Sequence, residues 1–318
     1  MKEKTGKFPS ANGLYDISYH ICLPEGNAKG IFHISHGMCE YFKRYSETIE
    51  HFTSRGFVVV GCDHMGHGES ISSDDDLGYF GKDSYHCFAD DLKTLNDIVR
   101  KTYRSLPYIL LGHSMGSFVV RDYITRYSDS IDGCILCGTA GSNKALKAGL
   151  TLCSIIEKLK GDRYRSKMIR NIAFGSYNKR FKAEKDLVSW LTREKSVRDK
   201  YKKDKYCTFT FTVSGFKNMF SLLGEVTSKE WASKVPLSLP VYIRSGRDDP
   251  VGGYGKGTDE VFDSLNECEL NFLKYKLYDD CRHELFSEIN KEEAWEDVIK
   301  FCDEVIEGVL EARGYGYR

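Results

Sequence analysis

"YILLGHSMGSFVV" (Tyr108–Val120) breaks an apolar run at Gly112, presents Ser114, passes Gly116 and turns apolar again. Five residues of the pattern G-x-S-x-G thus sit between a run that reads as a strand and a stretch, Met115 to Tyr127, that reads as a helix. The turn this requires is sharp. It predicts a strained, positive φ at the serine, and side chains two residues to either side would collide across it, so both positions call for glycine. Such a turn lifts the hydroxyl above the sheet edge. It also sets it at a helix start, where free backbone N–H groups and the helix dipole favour an anion. Ser114 is therefore expected to be a nucleophile.

Working outward, strands and helices alternate. "FPSANGLYDISYHICLPEG" (8–26) predicts two strands about an Asn12-Gly13 turn. "GIFHISHG" (30–37) predicts a short buried strand, and "FVVVGCD" (57–63) one buried on both faces. Tyr41, Tyr45, Ile49 and Phe52 recur at helical spacing between them, as do Phe88, Leu92, Leu95 and Val99 after them. "DGCILCG" (132–138) is a further strand. The rhythm then lapses from about residue 140 to 236. "CTFTFTVSG" (207–215) is the one strand-like run there. Ile155, Ile156 and Leu159, then Leu187, Trp190 and Leu191, look like helical faces. Alternation resumes with "LPVYIRSG" (239–246), a helix over Val261, Leu265 and Cys268, a strand "LNFLKYKLY" (270–278), and a last helix striped by Trp295, Val298, Ile299, Cys302, Val305, Ile306 and Val309. The reading is one α/β domain, residues 1–139 and 236–318, around a mostly parallel sheet. A mainly helical insertion, 140–235, precedes its last two strands.

A serine hydroxyl needs a base to take its proton and an acid to orient that base. After such a turn the chain order is Ser, then Asp or Glu, then His. Of nine histidines only His283, in "DDCRHELF" (279–286), follows Ser114. "SGRDDPVG" (245–252) offers Asp248 and Asp249 at the carboxyl end of the preceding strand, and spacing does not choose between them. The oxyanion of a tetrahedral intermediate needs two donors. The backbone N–H of Met115 and, from "HISHGMCE" (33–40), that of Met38 are the candidates, each worth roughly 3 kcal/mol of barrier. His36, which precedes Ser114, reads as a brace of that loop.

Composition narrows the alternatives. Lys+Arg and Asp+Glu both total 46, so net charge predicts attraction to neither nucleic acid nor membrane. The balance hides a polarity. Residues 140–235 carry 22 Lys and Arg against 9 Asp and Glu, a net +13, and the remainder carries −13. That field suits an anionic substrate or lipid as well as it suits a solvated surface. "FTFTVSGFKNMFSLL" (209–223) could wall an acyl chain or form the insertion's own core. The start, "MKEKTGKFPSANG", has no apolar stretch of the secretory kind, and no segment nears the roughly 18 apolar residues of a membrane span. Eleven cysteines in a chain of 318 residues are expected to be reduced thiols, and the chain to be cytoplasmic. Cys62, Asp63, His64 and His67, with His36 and Cys39, have metal-ligand chemistry but read as a glycine-shaped loop. Cys134 and Cys137, three apart on a strand, face opposite ways and read as core thiols. No metal or other cofactor is expected.

Together, His36-Gly37-x-x-Glu40 with Arg44-Tyr45, "DHMGHGES" from Asp63, "GHSMG", "GRDDPVG" and "RHE" resemble the monoacylglycerol lipase and lysophospholipase branch of the α/β-hydrolases, the serine aminopeptidase-like group. The resemblance implies an α/β-hydrolase fold with residues 140–235 as a cap over the active site. It also implies that the acid stands three residues after the glycine ending its strand, which from Gly246 is Asp249. Met38 departs from the small residue common after His-Gly in that branch. A backbone donor survives the change, but the pocket shape is open. The implied activity is hydrolysis of a fatty acyl ester, a monoacylglycerol or lysophospholipid, through an acyl-enzyme on Ser114 with His283 as base. An aminopeptidase would need acidic groups to hold a free amine, which the basic insertion disfavours. A binding protein on the same fold would usually lack one member of the triad.

Overall fold

In a computed structural model, which describes residues 2–314, the first two runs form the expected hairpin. Strand β1 (Lys2–Pro9) pairs antiparallel with β2 (Asp16–Leu23). The continuous apolar runs become β3 (Gly30–Ser35), β4 (Phe57–Cys62), β5 (Tyr108–His113), β6 (Gly133–Cys137) and β7 (Val241–Gly246), each buried at every position. The last strand, β8 (Leu273–Tyr278), is mostly half-buried. The eight strands form one sheet in the order β1-β2-β4-β3-β5-β6-β7-β8, parallel from β4 to β8. This is the α/β-hydrolase fold.

Helices cover both faces, which is why the inner strands are buried at every position rather than alternating. On one face α1 (Ser46–Ser54) and α9 (Lys291–Ala312) bury Ile49, Phe52, Trp295 and Val298 against Phe32, Val59, Ile109 and Ile135. On the other, α2 (Cys87–Thr102), α3 (Met115–Arg126) and α8 (Lys256–Asn266) bury Leu92, Val119 and Val261 against Ile31, Val60, Leu110 and Ile243. Each fully buried Val, Leu, Ile or Phe contributes about 1.5–3 kcal/mol. Cys134 belongs to one core and Cys137 to the other, as their spacing predicts, and all eleven cysteines are free.

Between β6 and β7 the chain leaves the sheet for α4 (Leu146–Lys160), α5 (Lys167–Phe174), α6 (Lys195–Lys203) and α7 (Val213–Val226). Helices α4 and α7 pack on each other, and α7 lies on α3. Two expectations for this segment are corrected. "CTFTFTVSG" is no strand: no neighbouring strand pairs with it. Thr212 instead caps α7, its Oγ1 accepting the Gly215 N–H at 3.0 Å, while the N–H groups of Thr212 and Val213 go to the carbonyls of Gly78 and Tyr164. Leu187, Trp190 and Leu191 lie on turns, not a helix, where Asp186 Oδ1 and Asn178 Oδ1 accept the N–H groups of Val188 and Trp190. The helix read from Ile155, Ile156 and Leu159 is borne out as α4, in which Ile156 packs against the core while Ile155 and Leu159 are 53% and 73% exposed. No helix among the described residues is long and apolar enough to cross a membrane.

Candidate active site

The carboxyl ends of the parallel strands share one edge, and the loops leaving that edge carry the predicted residues. Ser114 joins β5 to α3 with φ +54° and ψ −121°. A Cβ on Gly112 would strike the Gly116 carbonyl, and one on Gly116 would strike the Ser35 carbonyl. Both glycines are thus required by backbone crossing at the turn. Met115 opens α3, so its N–H belongs to the first turn, which has no intrahelical acceptor. Met38 follows β3 and lines the same cavity as Ser114 and Met115.

His283 lies in the loop after β8 and is 2% exposed. Its Nδ1 is 2.9 Å from Asp249 Oδ2. A carboxylate only accepts, so Nδ1 carries the hydrogen and Nε2 is left as the basic nitrogen. Asp249 is fully buried, and its two oxygens also accept from Ser245 Oγ at 3.0 Å and the Val251 N–H at 2.8 Å. Asp248 turns outward, 3.5 Å from Arg180. A Cβ at Gly246 would strike the carbonyls of Cys281 and Arg282, so a glycine there lets the His283 loop close onto the end of β7.

Beneath these residues runs a buried polar network whose role was not legible in the sequence. Glu40 accepts from the Gly37 N–H, from Tyr45 Oη at 2.8 Å and from His113 Nδ1 at 3.0 Å. Arg44 joins Glu40 (2.8 Å) to Glu284, which it holds with two bonds of 3.0 Å. His113 Nε2 is 3.3 Å from the His283 carbonyl, so both its ring nitrogens face acceptors, the pattern of an imidazolium. Burial works against that charge, but the Glu40 carboxylate outweighs it and the net shift of His113 is upward. Burial likewise works against a charged Glu40, and His113 and Arg44 together hold its carboxyl well below the usual range. One network therefore ties the Met38 loop, the residue before Ser114 and the residue after His283. The signal available was the quoted spacing of Glu40, Arg44, Tyr45 and Glu284, with no way to see that they meet.

His36 braces its loop as expected. Its Nδ1 donates to the Gly37 carbonyl at 2.8 Å and its Nε2 accepts the His64 N–H at 2.9 Å. His64 Nε2 meets Ser35 Oγ at 2.9 Å. Among the described residues no group of three His, Cys, Asp or Glu is arranged to hold a metal ion.

Ser114 and His283 open into a cavity of about 1310 Å³, roofed by residues of the segment between β6 and β7. That exceeds the ~300–1,000 Å³ usual for small-molecule sites. Phe118, Leu146, Phe174, Met219, Phe220 and Leu223 supply apolar wall. "FTFTVSGFKNMFSLL" thus serves both ways: Phe211, Phe216 and Leu222 are buried in the core while Phe209, Met219 and Phe220 line the cavity. The lining carboxylates are occupied. Arg44 takes Glu40 and Glu284, Arg198 binds Glu184 and Asp186, and Glu260 accepts the Ser142 N–H. By contrast Arg170, Lys185 and Lys256 line the cavity, are exposed, and have no carboxylate partner among the described residues. Cys39 and Cys207 also line it, but burial pushes both thiols up, so neither is a ready thiolate.

Comparison with known proteins agrees with this architecture. The family model described as serine aminopeptidase, S33 matches residues 26–290. A monoacylglycerol lipase of Mycolicibacterium smegmatis is 32% identical over 124 residues, which is 39% of this chain and 42% of that protein. The chain therefore spans about two fifths of the length of that curated relative. Phospholipase YtpA of Bacillus subtilis is 25% identical over 282 residues, 86% of this chain and 95% of its own. Among solved structures, a highly thermostable carboxyl esterase from Bacillus coagulans in complex with glycerol superposes with a TM-score of 0.89 at 29% identity, covering 96% of this chain and 99% of that one.

Proposed function

The chain belongs to the serine aminopeptidase S33 family, and on that premise we propose that it is a serine hydrolase cleaving the ester of a fatty acyl chain. The observation that carries this reading is the hydrogen bond from His283 to the buried Asp249, in a loop facing the cavity that Ser114 also lines. His283 Nε2 takes the Ser114 proton, Oγ attacks the ester carbonyl, and the N–H groups of Met38 and Met115 hold the oxyanion. His283 then protonates the leaving alcohol. In the second half it activates the water that frees the acid from Ser114.

Residues 140–235 act as a cap in this proposal. Their apolar wall takes the acyl chain, and Arg170 and Lys185, with Lys256 from the α8 side, none with a carboxylate partner among the described residues, favour an anionic head group, as in a lysophospholipid, over a neutral glyceride. Relatives named as a monoacylglycerol lipase and as a phospholipase support the substrate class. Exposed Ile155, Leu159, Met168 and Ile172 give the cap a surface suited to lipid aggregates. An aminopeptidase is disfavoured, because the carboxylates that could hold a substrate amine already have protein partners.

The test is a fluorophosphonate probe with wild type and S114A, followed by a panel of acyl esters and aminoacyl amides. Labelling and ester turnover should vanish together in a folded S114A. Unchanged turnover in that variant, or amides cleaved faster than esters by wild type, would overturn the proposal.

A further inference from the structure

We infer that Trp190, contributed by the segment between β6 and β7, is a positioning residue for His283. The inference rests on the hydrolase reading above, in which His283 is the base.

The attachment is direct. The His283 N–H points to the Trp190 carbonyl at 3.4 Å, and the Glu284 N–H donates to the Leu191 carbonyl at 2.7 Å. The indole ring lies against the imidazole, with centroids 5.1 Å apart and planes tilted by 39°. Tyr177 packs edge-on to the indole at 5.0 Å, so the ring has a wall behind it.

The segment itself is tied down around this contact. Asn178 Oδ1 accepts the Trp190 N–H at 3.1 Å. Arg282, next to His283, donates to the Ser189 carbonyl at 2.6 Å and pairs with Glu184, which also holds Arg198 at 2.7 Å. Arg193 pairs with Glu288 at 2.9 Å. The His283 loop is thus bonded to the segment on both sides of the histidine, although β7, α8 and β8 intervene between the two along the chain.

The chemistry gives the ring a task. When Ser114 loses its proton, His283 becomes an imidazolium that must keep its bond to Asp249. The π face of an indole attracts such a cation and blocks rotation of the ring. The other charged or titratable groups around the histidine are Asp249 on the loop after β7, His113 at the end of β5 (ring centroids 4.8 Å apart), and its own neighbour Glu284. Behind His113 stand Glu40 and Arg44, and on the segment Tyr177. Beside these groups, the Trp190 ring against the imidazole is an uncharged, non-titrating aromatic face that can stabilise the imidazolium without changing net charge.

The experiment compares W190F, W190L and W190A with wild type on a short p-nitrophenyl ester and a long one, with S114A as the blank. Loss of the π face in W190L or W190A should lower kcat about three- to tenfold on both esters, with KM nearly unchanged. W190F should recover most of kcat. The acid limb of kcat/KM should move to lower pH by roughly half a unit in W190L and not in W190F, because an unsupported imidazolium is less stable. A loss confined to KM or to the long ester would make Trp190 a substrate wall. Equal behaviour of W190F and W190L would make it filler. Either outcome overturns the inference while leaving the hydrolase reading intact. If W190A does not fold, the W190F–W190L pair decides alone. Turnover surviving in S114A would instead remove the premise.

Discussion

Asp249 Oδ2 lies 2.9 Å from His283 Nδ1, whereas the adjacent Asp248 faces Arg180 at the surface. Two neighbouring carboxylates are thus separated by burial: Asp249 is fully enclosed, and Asp248 remains partly exposed. Replacing Asp249 with Asn should cost about 10²–10⁴-fold in kcat, because the amide favours the wrong imidazole tautomer. Replacing Asp248 should cost little, since an exposed pair contributes about 0–1 kcal/mol. Steady-state rates of D249N and D248N on one p-nitrophenyl ester settle the order, and a larger loss in D248N would reverse the assignment.

The turn around Ser114 tolerates no side chain at Gly116, because a Cβ there meets the Ser35 and His36 carbonyls, which are backbone and have no rotamer to escape into. We expect G116A to destabilise the protein by more than about 2 kcal/mol, or to displace Ser114 enough to abolish fluorophosphonate labelling. Gly308 is the control: a Cβ there meets nothing within 4 Å. A G116A protein that melts and labels like G308A would show the turn to be looser than described.

Stability should carry a titration from Asp91. Burial, its largest influence, pushes this carboxyl up to about 7, although the Ala11 N–H and the Ser10 hydroxyl pull the other way. A carboxyl with a raised folded pKa binds its proton more tightly in the folded state. Its contribution is therefore present below the unfolded value near 3.9 and is lost as pH climbs to about 7, at a slope of at most about 1.4 kcal/mol per pH unit. Relative to D91N, wild type should lose stability between about pH 4 and pH 7 and run parallel to it above. Urea midpoints of both proteins across that range test this; identical pH dependence would exclude Asp91 as the group.

The segment 140–235 carries +13 against −13 for the rest of the chain; Arg170 and Lys185 bring part of that charge to the cavity lining, where Lys256 from the rest of the chain joins them. Such a field raises the encounter rate of anions and is screened over a Debye length of about 8–10 Å. Between low and moderate salt, kcat/KM for an anionic acyl ester should fall more than for a neutral ester of equal chain length, measured below the critical micelle concentration. An equal response of both esters would leave the basic residues as a solvated surface.

What could be read along the chain was whatever is decided by near neighbours. Apolar continuity in "FVVVGC" and "YILLG" marked strands covered on both faces. The two glycines around Ser114 followed from a backbone crossing confined to five residues. The order of Ser114 and His283 followed from the chain itself. Within residues 140–235 the same rules misled. The alternation of "CTFTFTVSG" had no neighbouring strand to pair with, and the apolar spacing of Leu187, Trp190 and Leu191 fell on turns rather than a helix. Spacing also could not choose between Asp248 and Asp249, because only the approach of a loop 34 residues away decides which carboxylate is enclosed. The contacts of Arg44 with Glu284, 240 residues apart, and of Trp190 with His283 belong wholly to the tertiary structure. Their physical reason is the same in each case. A buried charge or ring is placed by what packs around it, and packing partners far apart in sequence leave no local periodicity to read.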